Sequence, residues 1–281
     1  MGGQYWVLGT LPISENTMGL DFGAIELLLE AEQSPGFFSS VITLGRQELQ
    51  HFDRHSLKSL LVGHGHPASE EQAEAILREG DGFAEPLFRF LGAKKIDSID
   101  ASSYENASII HDMNEPIPDR LRSSYEAVID GGCLEHIFNF PVAIRNCMEM
   151  LAVGGKFLSL CCGNNFMGHG LYQFSPELFF RVFDQENGFE MERMILLDPS
   201  EGAHWYEVSD PKRVGNRVEA VTKSPVYLFV QARKVAEVPV FASPPQQSDY
   251  SLAWKHASQG GAATVHRPNP VARERAVVRL K

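Results

Sequence analysis

Apolar and polar positions along this chain change period from two to about 3.6 and back, most clearly between Tyr125 and Arg181. Ala127 to Asp130 is a short apolar run closed by an acid and then by Gly131 and Gly132. That pattern predicts a buried parallel strand ending at a ligand-facing edge. Val142, Ile144, Cys147, Met148 and Leu151 then recur at helical spacing. Pro141 falls in the first turn, where a missing N–H costs nothing. Gly154 and Gly155 end that helix and open a second apolar run, Lys156 to Cys162. Strand, helix, glycine pair and strand predict a right-handed βαβ unit in a parallel sheet.

The rest of the chain extends this pattern in both directions. Leu20 to Gln33 reads as a helix with Leu20, Ile25, Leu28 and Leu29 on one side, stopped by Ser34, Pro35 and Gly36. Phe37 to Leu44 reads as a strand ended by Gly45. The interval from Gln47 to Lys95 is longer than the roughly 20 residues of a plain nucleotide-binding unit. It holds helical pieces at Ser56–Val62, Ser69–Glu79 and Phe83–Leu91, expected to lid a ligand pocket or present a partner surface. His64 and His66 lie in a Gly- and Pro-containing joint and read as loop residues rather than metal ligands. Strands follow at Ile96–Ala101, Ser108–Asp112, Phe189–Leu197 and Val226–Ala232, with a helix at Pro176–Phe183 capped by Ser175. The segment Asp198–Lys223, with His204, Trp205 and Tyr206, is expected to fold over a substrate. From Pro239 breakers dominate, and Arg267, Arg273, Arg275, Arg279 and Lys281 make the end basic. The expected organisation is an N-terminal helical segment at 1–36, an α/β domain at 37–234 with an insertion near 47–95, and a flexible tail at 235–281.

Composition narrows the function classes. With 43% hydrophobic and 22% charged residues, the chain is an ordinary globular protein. A net charge of −11 argues against a general nucleic-acid binder, which needs clustered Lys and Arg. No apolar run reaches the length of about 18 residues that spans a bilayer. The first residues lack a basic region followed by an apolar core, so no secretory signal is expected. Cys133, Cys147, Cys161 and Cys162 show no zinc spacing. They read as reduced, mostly buried thiols of a cytoplasmic protein. The partner expected is a small-molecule substrate, with a homodimer left open.

Ligands of open α/β sheets bind outside the carboxyl ends of the strands. Gly45, Asp100, Ala101, Asp112 and the stretch Asp130 to His136 all fall at such ends, which points to a nucleotide-like ligand. A carboxylate at position 100 suits both hydroxyls of a ribose; the alternative is a turn cap before Ser102 and Ser103. The loop from Asn164 to Gln173 offers Asn165, His169, Tyr172 and Gln173 for neutral hydrogen bonds to a hydroxylated substrate.

The acid-ended strand, then LEHIFNFP (134–141) and MLAVGGKFLSL (150–160), resembles the second half of class I S-adenosylmethionine-dependent methyltransferases. The string GNNFMGHGLYQFSPELFFRVF (163–183) is similar to an uncharacterised or sugar- and natural-product-associated subgroup. The resemblance spans about 37–234 and implies a Rossmann-like, seven-stranded, mostly parallel sheet with helices on both faces. It implies S-adenosylmethionine as cofactor, with Asp112 on the adenine amine, Met113 stacked on the ring, and Gly45, Asp130 and Gly131 along the methionine portion. Where the family has a glycine-rich turn, this chain reads TLGRQE (43–48), with one glycine.

The activity implied is methyl transfer to oxygen or nitrogen of a small polar metabolite or sugar. Two alternatives remain: non-methylating chemistry on the same cofactor, and a non-catalytic scaffold. His136 is the first candidate base, because imidazole titrates near neutrality, and His169 the second. His136 could equally cap the next helix or meet a backbone carbonyl. Glu135 would contact the substrate or orient a partner; a divalent ion held with it is the third alternative, and no metal is assigned.

Overall fold

Neighbouring residues of the central strands face opposite helical layers. Val41, Ala127 and Leu158 belong to one hydrophobic cluster. Ile42, Val128 and Phe157 belong to another. This period of two, apolar on both sides, is what a parallel sheet buried on both faces requires. The computed structural model describes residues 19–32, 38–199, 204–258 and 277–279. The stop expected at 34–36 and most of the basic end lie outside the described residues.

In chain order the strands are β1 (Gly19–Leu20), β2 (Ser40–Leu44), β3 (Glu48–Leu49), β4 (Lys95–Asp100), β5 (Ile109–Ile110), β6 (Tyr125–Asp130), β7 (Leu151–Asn164), β8 (Phe189–Asp198), β9 (His204–Val208), β10 (Val226–Lys234) and β11 (Val277–Arg279). The helices are α1 (Phe22–Ala31), α2 (Arg54–Gly63), α3 (Glu70–Glu79), α4 (Glu85–Phe90), α5 (Phe140–Met150), α6 (Pro176–Val182), α7 (Pro211–Val214) and α8 (Ser248–Ser258). The main sheet runs β11-β9-β8-β10-β7-β6-β2-β4-β5, and β1 pairs with β3 alone. Pairing is parallel from β5 through β4, β2 and β6 to β7. It is antiparallel from β7 through β10, β8 and β9 to β11. The fold class is therefore α/β with a central parallel sheet, as expected, but the sheet has nine strands rather than seven. The two extra strands lie at one edge: His204–Val208 extends the sheet along β8 instead of covering a substrate.

The helices of the interval 47–95 do not form a lid. Leu57, Leu61, Ala73, Leu87 and Phe88 are buried in the same cluster as Leu27 of α1 and Val41, Ala127 and Leu158 of the sheet. They are one of the two helical layers, and α5 and α6 supply the other. Their starts are locally encoded. Asp53 with Ser56 and Ser69 with Gln72 form capping boxes, each satisfying two N–H groups at once. Ser175, expected to cap α6, makes no such bond. Instead Glu177 accepts from the Ser248 N–H (2.7 Å) and its Oγ (3.1 Å), which ties α8 to the domain. The 235–281 segment thus begins as ordered structure. No helix among the described residues is long and apolar enough to cross a membrane.

Candidate functional site

From β2 the chain builds outward to β4 and β5, then returns to the other side of β2 as β6 and β7. The order reverses between β2 and β6, where open α/β sheets leave a crevice at the carboxyl ends of the strands. Gly45 leaves β2 with φ +68, a backbone state that suits glycine, and its N–H donates to the Ile99 carbonyl at 2.8 Å. A Cβ built on Gly45 would stand 3.8 Å from Asp100 Oδ2, so this turn and the end of β4 are neighbours. The other Asp100 oxygen accepts from the Ser102 N–H at 2.7 Å, the turn-capping role weighed above. Ala101 is exposed beside it. Glu105 lies close enough for burial, and next Asp100, to raise its carboxyl above the usual range. The rim is acidic.

Past β5, Asp112 is exposed and accepts from the Asn114 N–H (2.9 Å) and Nδ2 (2.7 Å). Those bonds hold its carboxyl below the usual range, so it is ionised at neutral pH. Met113 is different. It is buried in the core, 4% exposed, and Asn146 Nδ2 donates to its carbonyl. It presents no face for a ring to stack on, and the stacking role is corrected to a packing one.

The methionine side of the crevice is filled. Gln47 is 5% exposed, and its Nε2 donates to the Leu44 carbonyl at 2.5 Å. A Cβ on Gly131 would overlap Gln47 Oε1, and that oxygen has no hydrogen-bond partner. Arg46 is held aside: it pairs with Glu85 at 2.7 Å and lies 3.8 Å over the Phe83 ring. Asp130 is 1% exposed and turned inward. It accepts from Ser159 Oγ (2.7 Å), the Cys133 N–H (2.8 Å) and the Leu134 N–H (3.3 Å). It anchors the turn that follows β6 and does not line the crevice.

That turn carries the LEH residues (134–136). Glu135 is fully buried, and its carboxyl is pushed up to about 7 by burial and then by Asp130. Its carbonyl accepts from the Leu171 N–H (2.7 Å) and Tyr172 N–H (3.2 Å), latching the 165–173 loop onto the turn. The latch brings His169 edge-on to His136, ring centroids 5.1 Å apart. His136 is exposed, but desolvation by the atoms packed around it, and next His169, holds its imidazole below the ordinary value, so it is a neutral proton acceptor at pH 7. The sequence reading named both histidines without foreseeing that they touch.

The polar residues of the loop serve its own structure. Asn165 Nδ2 donates to the Thr222 carbonyl (3.0 Å) and the Ser224 carbonyl (2.9 Å). Tyr172 donates to the Phe138 carbonyl at 2.6 Å, and Gln173 accepts from the Phe166 N–H at 2.7 Å. Three of the four expected substrate contacts therefore hold backbone, and Glu135 is beneath the surface. The sequence reading missed two residues. Gln47, the polar side chain that fills the crevice, has no local signal beyond standing where a glycine was expected. Cys162 lies under Glu135, donating its N–H to Oε1 at 3.4 Å. All four cysteines are free thiols, three of them buried. A cavity of about 600 Å³ lies between α6 and β8–β9, and none of these candidate residues lines it.

No protein-family model matches the sequence, and no curated protein matches it. Solved structures do. One is the 1,6-didemethyltoxoflavin-N1-methyltransferase of Burkholderia thailandensis with bound S-adenosylhomocysteine: 14% identity over 75% of this chain and 76% of that one, TM-score 0.37. Another is TehB of Haemophilus influenzae, at 14% identity, 75% and 61% coverage, and TM-score 0.38. A third is the branched-chain polyamine synthase of Thermus thermophilus, at 12% identity, 79% and 59% coverage, and TM-score 0.36. At these scores the likeness carries no conclusion, and the fold class rests on the strand order above.

Proposed function

We propose that the chain binds S-adenosylmethionine at the β2–β4 edge and transfers its methyl group to oxygen or nitrogen of a small polar metabolite or sugar. The observation that carries the reading is Gly45 beside Asp100: a side-chain-free turn with a carboxylate oxygen 3.8 Å from where its Cβ would be. Glycine lets an adenosyl group approach the backbone, and Asp100 Oδ2 accepts from its ribose hydroxyls. Asp112 Oδ2 takes the adenine amine, since Oδ1 is engaged by Asn114. The cofactor supplies an electrophilic methyl on a sulfonium. The chain holds the acceptor and removes its proton: His136 faces the loop, with His169 across from it at 5.1 Å.

Gly45, Asp100 and Asp112 would hold the adenosyl half, with Gln47 Nε2 also near the turn, 3.9 Å from the Gly45 Cβ position. The methionine half fits once Gln47 leaves Gly131, and a single hydrogen bond to the Leu44 carbonyl opposes that movement. The filled crevice favours one competing reading, a scaffold that kept the fold and excludes the cofactor. Calorimetry with S-adenosylmethionine and S-adenosylhomocysteine separates the two. Binding that weakens in Asp100→Ala supports the enzyme; no binding of either compound at millimolar concentration leaves the scaffold.

A further inference from the structure

Beneath the His136–His169 contact lies a cluster of three different donors. A carboxylate oxygen of Glu135, the thiol of Cys162 and a ring nitrogen of His169 all lie within 4.8 Å of one another. Glu135 and Cys162 are both 0% exposed, and His169 is half-buried. Glu135 Oε1 accepts from the Cys162 N–H, but its Oε2 is buried with no hydrogen-bond partner. An unmatched carboxylate oxygen in the interior is costly, commonly about 1–3 kcal/mol or more. The surroundings keep it in place nonetheless. Two N–H groups of the 165–173 loop bond the Glu135 carbonyl. Gly170 packs so closely that a Cβ there would lie 3.1 Å from Glu135 Cγ.

We infer that Glu135, Cys162 and His169 bind a divalent cation of borderline softness, zinc foremost, with one coordination position left for solvent or ligand. The donor set decides the ion. Calcium and magnesium take oxygen ligands, whereas a mixed oxygen, sulfur and nitrogen set suits zinc or cobalt. Three protein ligands and an open position is the arrangement of metal sites that act on a bound molecule rather than only brace a fold. Zinc bonds of roughly 2.0–2.3 Å place tetrahedral ligands about 3–4 Å apart, a spacing that donors already within 4.8 Å of one another reach with small side-chain shifts. The inference stands on the cluster alone and does not depend on methyl transfer.

The test uses the full chain, stripped with a chelating resin and titrated with Co²⁺ and then Zn²⁺. The expected result is one equivalent of Co²⁺ giving a thiolate charge-transfer band in the near ultraviolet and intense tetrahedral bands in the visible, all displaced by Zn²⁺. Cys162→Ser removes the charge-transfer band. His169→Asn, a change in a half-buried loop residue that leaves the core intact, weakens the metal at least tenfold in competition with a chelator. A featureless Co²⁺ spectrum in the wild-type protein overturns the site. So does equal metal affinity in wild type and His169→Asn, even if Cys162→Ser fails to fold.

Discussion

Gln47 Oε1 sits where a side chain on Gly131 would have to go, so any larger residue at 131 would displace the Gln47 side chain. The contact closes the crevice between β2 and β6 with a side chain held by one hydrogen bond. Gln47→Ala removes that bond together with a buried oxygen that had no partner. The two effects oppose each other, so the stability change should stay within about 1–2 kcal/mol. Removing a closed state also removes its penalty on affinity, and S-adenosylhomocysteine should bind about 3- to 10-fold tighter. Calorimetry measures this; an affinity that is unchanged or weaker shows that Gln47 does not gate the crevice.

Asp100 has one oxygen in its own turn and one directed toward Gly45. Asp100→Ala should weaken adenosyl binding about 10- to 100-fold, the loss expected for hydrogen bonds to a charged group. Asp100→Asn keeps the acceptor for Ser102 and should fall between. The residue is only half-buried, so melting temperatures should barely move. Equal affinity in all three proteins would mean that the carboxylate serves its turn alone.

Asp130 binds Ser159 and two backbone N–H groups from full burial, and burial raises its carboxyl above the ordinary 3.8. The folded state keeps this proton to higher pH than the unfolded one, so the residue's contribution to stability falls as pH climbs past 3.8. Glu135, Cys133 and Ser159 face it, and the nearby Glu135 carboxyl is displaced in the same direction. Asp130→Asn can still accept both N–H groups and can donate to Ser159 Oγ. Its stability relative to wild type should therefore improve steadily from acid to neutral pH. Asp130→Ala should lose about 3 kcal/mol or more by stranding its donors. Denaturant midpoints across pH check both, and parallel curves for Asn and wild type would show that Asp130 ionises without cost.

The β6–α5–β7 unit was readable because two signals were local, an apolar run and a proline in the first turn; the glycine pair read as the end of the helix lies instead inside β7, past the last helical residue Met150, where the pairing with β6 shifts register. The carboxyl-edge positions of Gly45, Asp100 and Asp112 followed from those strands. What escaped depended on partners distant in sequence. His204–Val208 is too short for its alternation to stand out, and it becomes a strand by pairing with β8. The start of α8 is held by Glu177, 71 residues away. Cys162 reads as one more apolar position in a strand; only the latch between Glu135 and the 165–173 loop gives it His169 as a neighbour. Burial of Gln47 and Asp130 was equally invisible, since their residue types suggested solvent or ligand.

Asn165 distinguishes a loop that grips substrate from one that grips itself. It adopts φ +64, and its amide bonds the Thr222 and Ser224 carbonyls. Asn165→Gly keeps the backbone conformation and loses the bonds, at a cost of about 1–2 kcal/mol for an exposed site. Asn165→Ala adds the penalty of a left-handed residue, about 1–2 kcal/mol more. Both should raise amide exchange in the 219–224 segment, which the bonds tie down, and the alanine variant should melt lowest. If Asn165 instead serves an acceptor, both variants will leave exchange in that segment unchanged and raise KM alone.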